Sequence, residues 1–74
     1  MKEFKGFETS YGTHVGASRM GEVVHRLREG EDWQRIANEE LIDVIPQGPN
    51  MVSEMNEVIC EAQARADEEP DKEV

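Results

Sequence analysis

Cysteine is nearly absent from this chain of 74 residues: Cys60 stands alone, so no intramolecular disulfide can staple the fold. Aromatic residues are almost as scarce, with two Phe, one Tyr and one Trp. Leucine occurs only as Leu27 and Leu41, so valine, isoleucine and methionine must fill most of the core. No apolar run approaches the roughly 20 residues that a membrane-crossing helix needs. Met1-Lys2-Glu3-Phe4-Lys5 leads into no hydrophobic stretch of the secretory kind, and a cytoplasmic protein is the expectation. Gly-x-Ser-x-Gly, a phosphate-binding loop and a recognisable nucleophile–base set are all missing. His14, His25 and Cys60 are scattered rather than paired at ligand spacing. The reading is therefore of a non-enzyme without metal or cofactor, and so short a chain has room for one small domain but not for a deep cleft.

Acid is what the chain has in excess. Seventeen Asp and Glu against eight Lys and Arg give a net charge of −9. The excess is divided unevenly: residues 1–30 carry +1 and residues 31–74 carry −10. An acidic surface keeps a protein soluble, and it also complements a basic partner.

Apolar spacing divides the rest into an arm, three helices and a tail. Phe7, Thr9, Tyr11, Thr13 and Val15 alternate with smaller or polar residues, which predicts one extended N-terminal strand or arm. Ser18 is the expected cap of a helix over about 18–29, with Met20, Val23, Val24 and Leu27 at helical spacing and Gly30 as its stop. A second helix is expected over about 32–45, opened by Glu31 or Asp32 and ended by Pro46. Its stripe is Trp33, Ile36, Ala37, Leu41, Val44 and Ile45, and Trp33, the only large aromatic on a helix, is the expected centre of the core. Asn50 is the expected cap of a third helix over about 50–66, whose apolar face is Met51, Val52, Met55, Val58, Ile59, Ala62 and Ala66, with Cys60 a partly buried thiol beside it. Residues 67–74 have no apolar period and read as a disordered acidic tail. The predicted fold class is mainly α, a small three-helix bundle with an extended N-terminal arm, in one domain over residues 1–66.

Three groups of residues carry candidate functions. Phe4, Phe7 and Tyr11 are three of the four aromatics, and Lys2 and Lys5 are interleaved with the first two; such an arm can anchor in a partner's pocket. Glu54, Glu57 and Glu61 follow i, i+3, i+7 on the third helix and are expected to face solvent as a row of carboxylates. Glu39, Glu40 and Asp43 are expected on a solvated face, and Arg19, Arg26 and Arg28 lie along the first helix. The stretch Val24 to Ala37 resembles the opening of a helix-turn-helix domain, which would make the arginine side a DNA contact. Asn38-Glu39-Glu40-Leu41 departs from that pattern by keeping helical period, and the following helix would bring three glutamates toward phosphates that repel them.

In size, acidity, lack of a catalytic set and basic-aromatic arm, the chain resembles small phage-encoded regulators of host enzymes, the nearest type being the RNA-polymerase-binding transcription regulator of a Xanthomonas phage. That resemblance implies a monomer in the host cytoplasm that binds a protein partner, RNA polymerase, and modulates transcription without direct contact to nucleic acid or membrane. The protein-binding residues read from the sequence are Lys2, Phe4, Lys5, Phe7, Glu54, Glu57 and Glu61. Two alternatives remain: partial DNA mimicry against a nuclease, restriction enzyme or CRISPR effector, and a degenerate helix-turn-helix that binds DNA.

Overall fold

The computed structural model describes residues 5–68, which are mainly helical. Lys2, Phe4 and the acidic run beyond Glu68, and with it most of the predicted tail, lie outside the described residues. Two short strands, β1 (Phe7–Glu8) and β2 (His14–Val15), precede α1 (Ala17–Arg28), α2 (Trp33–Ile36) and α3 (Met51–Asp67).

The expected single strand folds back on itself. β1 and β2 pair antiparallel, with Phe7 opposite Val15 and Glu8 opposite His14. Thr9 organises the reversal: its amide donates to the Thr13 carbonyl at 2.8 Å, its carbonyl accepts from the Gly12 amide at 2.9 Å, and its hydroxyl accepts from the Thr13 amide at 3.1 Å. Gly12 takes φ +93°, a conformation that residues with a β-carbon rarely adopt. The hairpin supplies the pairing partner that a lone strand lacks.

α1 starts one residue after Gly16, whose carbonyl accepts from the Met20 amide at 2.9 Å, so Ser18 sits inside the first turn rather than capping it. Its end is the predicted one. The Glu31 amide donates to the Arg26 carbonyl at 3.2 Å and the Gly30 amide to the Leu27 carbonyl at 3.0 Å, with Gly30 at φ +87°. This paired closure satisfies carbonyls that the last turn otherwise leaves open.

Asp32 caps α2 as expected, accepting from the Arg35 amide at 3.2 Å. The helix does not run on as α to Ile45. Residues Ala37–Leu41 form a π-helical segment, wider by one residue per turn, and turns carry the chain on toward Pro46. Asn50 precedes α3 without a side-chain cap bond, and α3 extends to Asp67.

One core joins these elements. Met20, Val23 and Val24 of α1, Ile36, Leu41 and Ile45 from the middle of the chain, Val58 of α3 and Val15 of β2 are all fully buried, with Ala37, Met55, Ile59 and Ala62 around them. α1 packs chiefly on α3. Three residues depart from the expected core. Trp33 is 43 % exposed, because it is the first residue of α2 and helical side chains lean toward the N-terminus, here past the end of the core. Val52, in the first turn of α3, is 71 % exposed, and Cys60 is exposed two turns further along the same face.

Candidate protein-binding surface

The glutamate row of α3 does not stand free in solvent. Glu54 is only 5 % exposed, and its carboxylate accepts from the Thr9 hydroxyl at 3.2 Å. Glu57, one turn on, accepts from the Ser10 amide at 2.7 Å and from the Ser10 hydroxyl. Those two bonds, the hydroxyl first, hold the Glu57 carboxyl below the usual carboxylate range. Glu61 accepts from Arg65 Nε at 2.8 Å, and the same guanidinium donates to the Lys5 carbonyl at 2.6 Å and the Gly6 carbonyl at 3.2 Å. Glu54, Glu57 and Arg65 thus clasp the hairpin against α3 along successive turns. The i, i+3, i+7 spacing identified the shared face correctly, but not the loop that covers it.

This clasp brings three of the sequence-predicted residues to one place. Phe7, Glu57 and Glu61 line a shallow depression of about 400 Å³, together with Asn56 and Cys60. Glu54 is not part of it, and Lys5 is exposed at the hairpin's entry. Asn56 and Cys60 were missed by sequence reasoning; their i, i+4 spacing, interleaved with Glu57 and Glu61, was the available signal.

The arginine side of α1 is also occupied. Arg26 meets Glu31 and Glu39 at 2.6 Å each and Glu40 at 3.0 Å, and its side chain is only 13 % exposed. Arg19 pairs with Glu40 at 3.2 Å and Asp43 at 3.7 Å. Arg28 donates to the Arg65 and Ala66 carbonyls near the end of α3. The hydrogen bonds that Arg26 donates to Glu31, and next to Glu39, raise its pKa above the ordinary value, while Arg26 holds both carboxyls below theirs. Of the three acids expected on a solvated face, Glu39 and Asp43 are exposed and pair from the rim, while Glu40 is largely covered by this contact. The π segment carries Glu39 and Glu40, and both reach the one guanidinium.

Charge is thereby sorted. All five arginines among the described residues bond to acceptors within the chain, while Glu8, Glu22, Asp32, Asp43 and Asp67 remain on the outside. His25 and Glu29, 3.9 Å apart, are both exposed on the last turn of α1. Among the described residues no three His, Cys, Asp or Glu side chains converge as a metal site, and no helix is long and apolar enough to cross a membrane. Neither a protein family, nor a curated protein, nor a solved structure matches the chain.

Proposed function

We propose that this protein is a small three-helix bundle that acts as a protein-binding regulator, engaging the basic face of a nucleic-acid-handling enzyme, with RNA polymerase as the first candidate and modulation of transcription as the result. The observation that carries this reading is the sorting of charge. Enzymes that handle nucleic acid hold it on basic surfaces, and a chain whose arginines are tied internally offers such a surface an acidic exterior. The same sorting weakens the DNA-binding alternative, since Arg19 and Arg26 would have to give up their carboxylate partners before neutralising phosphates. DNA mimicry is served less well too, because Glu54 is buried and Glu57 is bonded to Ser10.

The test is binding of the full chain to purified bacterial RNA polymerase, followed kinetically at two salt concentrations, with bare duplex DNA as the control. Salt-sensitive association with the polymerase and none with the duplex is expected. Retention on the duplex, or no association with polymerase at either salt concentration, rejects the reading.

A further inference from the structure

We infer that the depression between β1 and α3 is the seat for an arginine-bearing segment of the partner protein, the guanidinium lying against Phe7 and the acidic rim; this assignment rests on the protein-binding reading above and gives it a location. The lining has two chemistries. Phe7 and Cys60 offer a ring and a soft apolar surface, while Glu57 and Glu61 place carboxylates beside them. A long aliphatic stem ending in a delocalised cation matches both, since it covers apolar surface with its methylenes and carries charge at its tip. A guanidinium also stacks on an aromatic face, which a purely apolar side chain cannot exploit electrostatically.

Among the described residues no Lys or Arg lines the depression, and Arg65, one turn beyond Glu61, is turned to the Lys5 and Gly6 carbonyls and to Oε2 of Glu61. Among the described residues Oε1 of Glu61 accepts no hydrogen bond. Val52 lies on the same face toward the start of α3, at i, i+4, i+8 with Asn56 and Cys60, and among the described residues is the most exposed large apolar side chain. A neighbouring apolar residue of the same partner segment would rest there. The clasp by Glu54 and Glu57 keeps Phe7 in position, so the seat is formed before the partner arrives and costs little ordering on binding.

The experiment uses the isotopically labelled full chain and two capped synthetic peptides, Ala-Leu-Arg-Leu-Ala and its counterpart with neutral citrulline replacing arginine. Saturable amide shifts confined to Phe7, Asn56, Glu57, Cys60 and Glu61 are expected with the arginine peptide. Affinity should fall about ten-fold with citrulline, as loss of a charge-assisted contact requires. Cys60→Arg places the chain's own cation in the depression and should abolish the shifts, whereas Cys60→Ser should retain them; superimposable melting curves establish that both variants fold. Shifts spread over Glu22, Asp32 and Asp43 as strongly as over the depression, equal affinity for the two peptides, or full binding by Cys60→Arg each overturn the inference. Polymerase binding distinguishes the two readings. If wild type binds polymerase and Cys60→Arg binds it equally, the seat is wrong while the function stands. If the arginine peptide saturates the depression but polymerase does not bind, the seat is supported and the proposed enzyme is wrong.

Discussion

Leu41 and Trp33 show how little a side chain's size says about its burial here. Leu41 is fully buried among residues from three elements, whereas Trp33 lies at the exposed start of α2. We predict that Leu41→Ala lowers stability by about 2–5 kcal/mol, since the transfer and cavity costs add in so small a core. Trp33→Ala should cost under about 1 kcal/mol, as substitutions away from the core commonly do. Chemical denaturation of both variants checks the ranking, and an equal loss would return Trp33 to the core. Most core positions were legible because helical spacing is a direct consequence of one-sided burial; Met20, Val23, Val24, Ile36, Leu41, Ile45 and Val58 were read that way. Trp33 was misread because spacing gives a residue's angle around the helix but not whether the core reaches that far along it. The partners of Arg26 are not legible in the sequence for a different reason: its acceptors, Glu31, Glu39 and Glu40, come from a segment whose approach depends on packing. Replacing Arg26 by Ala strands three carboxylates around one site. That change should lower the melting temperature more than Arg35→Ala, since Arg35 is exposed and among the described residues pairs with Glu39 alone. Arg26→Lys should recover part of the loss, because an ammonium lacks the planar fork that meets several acceptors.

Elements of this chain lean on one another more than their lengths suggest. The hairpin has two residues in each strand, far short of what holds a β-ribbon together alone. Its persistence is explained by attachments 45 and 47 residues away in sequence, Thr9 to Glu54 and Ser10 to Glu57, and by burial of Val15. Such attachments leave no periodic trace, so the sequence suggested only an extended segment. We predict that Glu54→Ala with Glu57→Ala speeds hydrogen exchange at Thr9 and Val15 by an order of magnitude or more, while amides in the middle of α1 and α3 keep their protection. Uniform loss of protection would mean that the hairpin is a cooperative part of the core rather than a clasped addition. The π segment was invisible for a related reason. Ala37 to Leu41 is an i, i+4 step that fits an α-helix, and the wider turn brings Ile36, five residues before Leu41, more nearly into line with it.

At the scale of the whole molecule, the net charge of −9 sets ion pairing against self-repulsion, and pH and salt separate the two. Glu31, Glu39 and Glu57 each have a carboxyl held below the ordinary value of 4.5 by partners that exist only in the folded chain. The unfolded chain therefore takes up protons at a higher pH than the folded one. Their contribution to stability is complete above the unfolded value and disappears as pH falls through the lower folded values. Repulsion among the exposed acids has the opposite sign, because protonation relieves it. It acts over a distance of about 10 Å at 0.1 M salt and is screened readily, while Arg26, nearly buried, is screened much less. At neutral pH, added salt should therefore raise the melting temperature slightly. Below about pH 4.5 acid should lower it steeply as the internal bonds of Glu31, Glu39 and Glu57 are lost, and added salt should then screen repulsion of the opposite sign, among the eight Lys and Arg that stay charged. Thermal melts on a grid of pH and salt measure both effects. A melting temperature that rises steadily into acid would mean that repulsion outweighs the internal bonds of Glu31, Glu39 and Glu57. The acidic exterior would then be maintained at the expense of the fold, rather than balanced by the arginines bonded within the chain.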